Sequence, residues 1–174
     1  MSAARRLANY LSVSQTNYRL IPHRITHSAA DSAHAAHLPA AQVVKSVLLR
    51  DCAGGRYTVA LTPACNRLNM HWLKPEVAHQ PVLARESELP DVFPDCSLGA
   101  VPGFGQAYNL DLVWDDELGE QPCLYFEAGN HEELIQIEQY DFHQLFHGYP
   151  HAMISLPHEA YVEYHVDELR GSVH

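Results

Sequence analysis

The chain has 174 residues, of which 47% are hydrophobic and 18% are charged, and its formal net charge at pH 7 is −10. This length and composition predict one domain with a single apolar core. No stretch approaches the ~18 uninterrupted apolar residues of a membrane span, which excludes a transmembrane protein. The negative charge argues against a protein that coats DNA or RNA along a basic face.

The N-terminal segment favours the cytoplasm, and the cysteines are expected to be buried or incidental thiols. Arg5 and Arg6 are followed by no long apolar stretch, so a secretory signal peptide is not expected. The four cysteines, at positions 52, 65, 96 and 123, form no CxxC pair and lack zinc-ribbon spacing. We therefore expect a cytoplasmic protein with free thiols.

Charge is distributed unevenly along the chain. Residues 1–87 contain ten Lys and Arg and four acidic residues, whereas residues 88–174 contain one Arg and seventeen acidic residues. If the two halves are separated in space, a mildly basic face could bind a small anionic partner. If they mix within one fold, no patch survives, and the sequence leaves both outcomes open.

Periodicity and turn residues predict short helices alternating with short strands. Ser28, three residues before Asp31, is typical of a helix N-cap. Gly54 and Gly55 can supply the positive φ of a tight turn, so the strands beside them are expected to form a hairpin. The predicted elements are helices at 7–11, 28–37, 68–73 and 86–92, strands at 18–21, 45–50, 56–61, 82–84, 110–114, 123–127 and 134–137, and a last helix carrying Phe142, Leu145 and Phe146.

This element order predicts an α+β (mixed α/β) fold. The hairpin and the short connections argue against a purely parallel doubly wound sheet. We expect a mixed, largely antiparallel, β-barrel-like sheet with surrounding helices. Residues 149–174 show no clear period, so the chain is divided into a domain at 1–148 and a C-terminal extension of unknown role at 149–174.

The thirteen histidines are the obvious candidates for metal ligands. His34 and His37, and likewise His143 and His147, can share one helix face. A zinc site needs three or four converging ligands, and the sequence identifies no third ligand for either pair. We therefore expect surface histidines, with no metal and no cofactor. The chain also lacks a GxSxG elbow and a Walker-type loop.

Three segments could instead act together, although each alone is more often an ordinary turn or surface residue. Lys45, one of two lysines, precedes an apolar strand, where its ammonium could pair with a phosphate or carboxylate or simply reach solvent. The glycines of residues 99–105 could bring backbone N–H groups to a ligand and stabilise an oxyanion. Asn130 and His131 follow Gly129 in a tight turn after a strand.

In this order and spacing, the three segments resemble the YbaK/prolyl-tRNA synthetase associated domain family of aminoacyl-tRNA deacylases. Residues 38–49, LPAAQVVKSVLL, are similar to the family's lysine-bearing segment. Residues 99–105, GAVPGFG, resemble its G-x-V-P-P-F-G loop, and residues 124–134, LYFEAGNHEEL, its strand–turn–strand. The resemblance extends from about residue 18 to residue 145.

This resemblance implies a YbaK-like fold and hydrolysis of the ester between a wrong amino acid and the 3′ end of a tRNA. An aminoacyl ester is already activated, so positioning of water or of the vicinal hydroxyl, together with oxyanion stabilisation, suffices without a covalent nucleophile. The implied partner is the acceptor end of a mischarged tRNA, with an aminoacyl-tRNA synthetase as a second candidate. The implied catalytic residues are Lys45, Gly99 and Ala100, and the implied substrate-binding residues are Val101, Pro102, Gly103, Gly129, Asn130 and His131.

Two positions depart from the family pattern. Gly103 stands where many relatives have a second proline, which predicts a looser loop, and Ala128 stands where some relatives have serine. These departures motivate an alternative, a catalytically silent module on the same fold that binds a tRNA end, a nucleotide or a synthetase. A metal-dependent hydrolase that uses the histidines is a third hypothesis.

Overall fold

The computed structural model describes residues 3–161. Within that range, none of the helices has the length and apolar character needed to cross a membrane. The helices are α1 Arg5–Val13, α2 Ala29–Ala35, α3 Met70–Leu73, α4 Leu89–Val92, α5 Asp116–Gly119 and α6 Gln139–Leu145, with 3-10 turns at Lys74–Glu76, Glu86–Glu88 and Gly105–Tyr108. The strands are β1 Arg19–Pro22, β2 Val44–Asp51, β3 Tyr57–Pro63, β4 Asn66–Leu68, β5 Pro81–Leu83, β6 Asp111–Asp115, β7 Cys123–Glu127, β8 Glu133–Glu138, β9 His151–Ala152 and β10 Ser155–Pro157.

Local sequence signals account for α2 and for the hairpin of β2 and β3. The hydroxyl of Ser28 accepts a hydrogen bond from the Asp31 amide at 3.1 Å, so the predicted cap of α2 is confirmed. The predicted hairpin is also confirmed, with β2 and β3 paired antiparallel. Its turn contains Gly54 at φ 89° and Gly55 at φ 83°, values that only glycine adopts readily.

The strands form three sheets. A five-stranded sheet has the order β5-β2-β3-β6-β9, a three-stranded sheet the order β1-β8-β7, and β10 pairs with β4. Only the β3–β6 and β6–β9 pairs are parallel. The predicted α+β fold with mixed, largely antiparallel strands is confirmed, although the strands of residues 3–161 do not close into a barrel.

A short parallel contact joins the two larger sheets. Val43 forms an isolated parallel bridge with Tyr125, and the Tyr125 amide donates to the carbonyl of Gln42 at 2.9 Å. Because the bridge is parallel, both segments continue from this point in the same direction. Lys45, two residues after Val43, and Glu127, two residues after Tyr125, therefore occupy corresponding positions on the two adjacent segments.

Four phenylalanines form the centre of the main core. Phe142 and Phe146 lie one helical turn apart around α6, and their ring centroids are 4.6 Å apart. Phe104 and Phe126 lie 4.5 Å apart and are fully buried with them. Aromatic pairs at such distances add about 0.5–1.5 kcal/mol beyond their burial. Phe104 thereby anchors the glycine-rich loop to the core.

The segment after Gly148 is partly built into the sheets. β9 pairs with β6, and β10 pairs with β4. The buried carboxylate of Asp115 accepts hydrogen bonds from the Ile154 amide at 3.0 Å and the Ser155 hydroxyl at 2.7 Å. The boundary at residue 148 remains a prediction, and residues 162–174 of the expected extension lie outside the described range.

Candidate functional site

A cavity of about 390 Å³ opens beside β2, where the two larger sheets meet. Lys45, Gly99, Val101 and His131, taken from the three segments singled out in the sequence, all line it. Much of the remaining wall is aliphatic: Val43, Val44, Val47, Leu48, Leu83, Leu89 and Leu134. The cavity thus combines an apolar interior with a few polar groups, as small-molecule sites generally do.

The other five candidates do not contribute to the wall of this cavity. Ala100, Pro102 and Gly103 are buried under the loop surface, and Gly129 and Asn130 belong to the turn after β7. None of the five is among the residues of the described chain that line the cavity.

Lys45 extends from β2 and is half-buried. Its ammonium donates a hydrogen bond to the backbone carbonyl of Asn66 in β4. Burial lowers the pKa of Lys45, and the positive charge of Arg67 lowers it further, against a smaller opposite effect of Cys65. The Lys45 ammonium is therefore held in place by a backbone carbonyl, which does not neutralise its positive charge.

The glycine-rich loop uses two of its amides internally. Ala100 N–H donates to the carbonyl of Ser97 at 2.9 Å, and Val101 N–H donates to that of Gly99 at 3.0 Å. The N–H of Gly99 has no hydrogen-bond partner in residues 3–161. Gly99 has φ +82°, which glycine tolerates without strain. Of the amides at 99–101, that of Gly99 is the one available to a ligand.

Gly103 packs closely against β7, and the looser loop expected from the sequence stays a prediction. A Cβ at this position would lie 2.6 Å from Cδ1 of Phe126 and 3.2 Å from the hydroxyl oxygen of Ser46. The Phe126 ring occupies the space that a larger residue would need. The glycine thus permits close packing between the loop and β7.

A single carboxylate organises the turn after β7. Oε1 of Glu127 accepts hydrogen bonds from the amides of Gly129 at 2.9 Å, Asn130 at 3.0 Å and His131 at 3.0 Å. Oδ1 of Asn130 accepts from the amides of Glu132 and Glu133, both at 3.0 Å. The side chain of Asn130 thus stabilises the turn.

Gly129 allows two segments to approach the turn. A Cβ there would lie 2.9 Å from Cβ of Ala4 and 2.9 Å from Sγ of Cys96. The φ of Gly129 is +94°, a region that side chains with a Cβ rarely adopt. Gly129 is therefore required by packing and by backbone conformation, and its contribution to the cavity is indirect.

His131 connects the turn to the glycine-rich loop. Its Nε2 lies 2.7 Å from the carbonyl oxygen of Leu98. A carbonyl only accepts, so Nε2 carries the proton, and in the neutral ring Nδ1 is the acceptor. The ring of His27 meets that of His131 edge to face, with centroids 4.8 Å apart. Both histidines line the cavity.

Six polar residues of the cavity wall were not selected as site residues from the sequence: His27, Ser28, Ser32, Ser46, Glu86 and Glu127. Ser46 lies between Val44 and Leu48 on one face of β2, and this period-2 pattern was a usable signal for a polar group among apolar ones. His27 and Glu127 reach the cavity through tertiary packing, for which the sequence carried no local signal.

Metal ligands do not converge in the described part of the chain. Between residues 3 and 161 there is no group of three or more His, Cys, Asp or Glu side chains placed to hold a metal ion. All four cysteines are unpaired, as predicted. The polar groups that line the cavity include Lys45, Glu127, three serines and two histidines.

Comparisons with known proteins show the family and the fold of the chain. A family model, the aminoacyl-tRNA editing domain, matches residues 23–145. The crystal structure of hypothetical protein APE2540 is similar, with 22% identity and a TM-score of 0.76, over 87% of this chain and 100% of that one. A protein named provisionally as a trans-editing enzyme for prolyl tRNA synthetase has 22% identity and a TM-score of 0.70, over 88% of this chain and 96% of that one.

A third similar structure is a Marinobacter aquaeolei VT8 protein named provisionally as a signal transduction protein. It has 14% identity and a TM-score of 0.67, over 87% of this chain and 30% of that one. Identities this low show a common fold, and a search of curated proteins finds no match. The family model, however, spans most of the sequence, and the chain therefore belongs to the aminoacyl-tRNA editing domain family.

Proposed function

We propose that the protein is a freestanding aminoacyl-tRNA deacylase that hydrolyses the ester of mischarged tRNA. The observation that carries this proposal is the cavity shared by Lys45, Gly99, Val101 and His131. Family membership supports an editing role, and the apolar wall is suited to an uncharged aminoacyl side chain. The proposed site of action is the cytoplasm, where tRNA is charged.

The proposed chemistry needs no covalent nucleophile. Water adds to the ester carbonyl and gives up a proton, the ester C–O bond to the ribose breaks, and the ribose oxygen takes up a proton, so that free amino acid and tRNA are released. If the vicinal ribose hydroxyl attacks first, the aminoacyl group is only transferred to that oxygen, and water then hydrolyses the new ester in the same way. Negative charge develops on the carbonyl oxygen, where the Gly99 N–H is the available donor. Loss of one such donor typically costs about 3 kcal/mol of transition-state stabilisation.

The remaining candidates have supporting roles in this proposal. Ala100 stabilises the loop through its hydrogen bond to Ser97. Lys45 binds an anionic group of the acceptor end, because its ammonium is the cation that lines the cavity. An aminoacyl-tRNA synthetase is a second proposed partner, in keeping with the fold neighbour named for prolyl tRNA synthetase.

A panel of mischarged tRNAs tests the proposal. The wild type is expected to deacylate at least one member, and Lys45→Ala is expected to lower kcat/KM by about 10- to 100-fold, the usual effect of one charge-assisted hydrogen bond. Lys74→Ala is the matched control, because Lys74 is the other lysine and is exposed away from the cavity. If excess wild-type protein leaves every mischarged tRNA intact, the proposed activity is wrong.

A further inference from the structure

Glu127 ends β7 at the wall of the cavity, and the fold uses only one of its two carboxylate oxygens. Oε1 accepts hydrogen bonds from the amides of Gly129, Asn130 and His131. Oε2 has no hydrogen-bond partner among residues 3–161. An ionised carboxylate can accept on both oxygens. Because Glu127 lines the cavity, its second oxygen is available to a ligand there.

No cation of the described chain pairs with this carboxylate. The ion pairs found among residues 3–161 all use other acidic side chains. Lys45 occupies the corresponding position on the adjacent segment, but its ammonium donates to the backbone carbonyl of Asn66. The charge of Glu127 is thus stabilised by backbone amides and lacks a counterion. A half-buried carboxylate of this kind favours a positively charged ligand.

The position of the Glu127 carboxylate is fixed relative to the proposed oxyanion donor. The amide of Ser97 donates to the carbonyl of Gly129 at 2.8 Å, and Nε2 of His131 donates to the carbonyl just before Gly99 at 2.7 Å. These two hydrogen bonds connect the turn after β7 to the segment that leads into Gly99. Gly99 and Glu127 both line the cavity, so one ligand can contact both.

Glu86 is the other carboxylate that lines the cavity in the described part of the chain. It is exposed, and no hydrogen bond or ion pair within residues 3–161 fixes its carboxylate. A free side chain of this length loses rotamer entropy when a ligand orders it. Glu127 is already ordered by three amides, so it is the better placed of the two to bind a cation.

We propose that Oε2 of Glu127 binds the α-ammonium group of the aminoacyl ester, so that the cavity selects esters with a free α-amino group. This inference rests on the proposed deacylase function and adds Glu127 as a substrate-binding residue. The α-nitrogen is two bonds from the carbonyl carbon, so an ester that contacts the Gly99 N–H presents its ammonium close by. Esters with an acylated amino group, such as peptidyl-tRNA, lack this charge and are expected to be poor substrates.

Glu127→Gln removes the charge and is designed to keep the turn. The glutamine oxygen can accept from the three amides, and these donors direct its NH2 group to the other side, where an ammonium finds no acceptor. The substrates are a mischarged tRNA and its α-hydroxyacyl counterpart, made from the same sample by deamination with nitrous acid. Each rate is divided by the rate of uncatalysed hydrolysis of the same ester.

The wild type is expected to favour the amino ester over the hydroxy ester by at least about tenfold in kcat/KM. In Glu127→Gln, kcat/KM for the amino ester is expected to fall about 10- to 100-fold, and that for the hydroxy ester to stay nearly constant. Glu132→Gln is the matched control, because Glu132 lies in the same turn and does not line the cavity. An undiminished preference in Glu127→Gln, or its loss in Glu86→Gln instead, would overturn the assignment.

A stable pair of analogues separates this proposal from the deacylase function. The alanyl and lactyl amides of 3′-amino-3′-deoxyadenosine are not hydrolysed as esters are, and they differ only in an ammonium or a hydroxyl group. Calorimetric titration of the full chain is expected to show about tenfold tighter binding of the alanyl analogue by the wild type and no preference in Glu127→Gln.

The two proposals can fail separately. If the wild type prefers the alanyl analogue and deacylates no tRNA, the ammonium site stands and the deacylase function is wrong. If it deacylates tRNA and shows no preference between the analogues, the ammonium site is wrong and the deacylase function stands. The unfolding temperature of Glu127→Gln is compared with that of the wild type. The analogue comparison on the wild type decides the proposal even if this variant is unstable.

Discussion

The imidazole Nε2 of His131 donates a hydrogen bond to the carbonyl oxygen of Leu98 at 2.7 Å. This contact connects the turn after β7 to the residue before Gly99, so it determines where the Gly99 amide lies relative to the turn. His131 is buried and has φ 65°, a left-handed conformation in which asparagine is among the better tolerated residues. The His131 side chain therefore positions the glycine-rich loop, and the backbone conformation of His131 is itself restricted.

His131→Asn tests this connection. Asparagine tolerates the positive φ but is too short to reach Leu98, so the Gly99 amide loses its support. We expect kcat for deacylation to fall about tenfold, and the free energy of unfolding to fall by about 1 kcal/mol, typical of one hydrogen bond. Leu98→Ala is the control, because only the Leu98 backbone takes part. An unaltered kcat in His131→Asn would show that the loop keeps its position without the histidine.

Gly103→Ala is expected to destabilise the fold. The added Cβ would lie 2.6 Å from the Phe126 ring, and overpacking of this kind costs about 1–3 kcal/mol. Gly105→Ala is the matched control, because its Cβ would meet its neighbours at 3.5 Å, an ordinary contact. Chemical denaturation measures both variants.

The same clash predicts a positive coupling between two positions. Phe126→Leu removes atoms that the new Cβ would meet, so the double variant Gly103→Ala, Phe126→Leu should be more stable than the sum of the single effects. A double-mutant cycle measures this difference. Strict additivity would mean that Gly103 and Phe126 do not compete for the same space.

Asn130→Ala distinguishes a turn residue from a substrate contact. The side-chain oxygen of Asn130 accepts two backbone hydrogen bonds, from Glu132 and Glu133. We expect the free energy of unfolding to fall by about 1–2 kcal/mol while KM stays constant. Thermal unfolding and initial-rate kinetics check the two parts. A raised KM with unchanged stability would instead favour the substrate contact predicted from the sequence.

The lowered pKa of Lys45 predicts a pH limit for activity. The protonated amine binds the anionic substrate, so catalysed deacylation should decline at a lower pH than for an ordinary lysine. The uncatalysed hydrolysis at each pH is subtracted. Because the positive charge of Arg67 lowers this pKa, Arg67→Ala should shift the alkaline decline to higher pH. A decline at the same pH in both proteins would show that Lys45 is not the titrating group.

The lowered pKa of Lys45 also predicts the direction in which the free energy of unfolding changes with pH. Between the lowered pKa of folded Lys45 and the ordinary value of the unfolded chain, the unfolded state binds more protons. The free energy of unfolding contributed by this residue therefore rises with pH across that window. In Lys45→Met this contribution is absent, and denaturation curves of the two proteins at several pH values give the difference.

Much of the fold followed from local patterns in the sequence. The Ser28 cap, the Gly54–Gly55 turn and the alternation in β2 and β3 each produce their structure through near neighbours. β9 and β10 were not predicted, because segments of two and three residues show no period. The contact between the two larger sheets depends on the bridge between Val43 and Tyr125, which no local pattern encodes.

The residues of the candidate site likewise form two groups, those visible in the sequence and those whose roles depend on tertiary packing. Lys45 and His131 were found because an isolated lysine and a turn after a strand are visible in the sequence. The roles of Glu127, whose carboxylate binds three amides, and of Arg67, which neighbours Lys45 only across strands, arise from packing. The close contact between Gly103 and the Phe126 ring was not predicted either, since the two residues are distant in the chain.

The pairing of β10 with β4 has a consequence for how the protein matures during translation. β4 leaves the ribosome well before Ser155 is synthesised, so Asn66 first folds without the partner that completes its hydrogen bonds. The carbonyl that holds Lys45 therefore lies in a strand whose pairing has to wait until residue 155 has been synthesised.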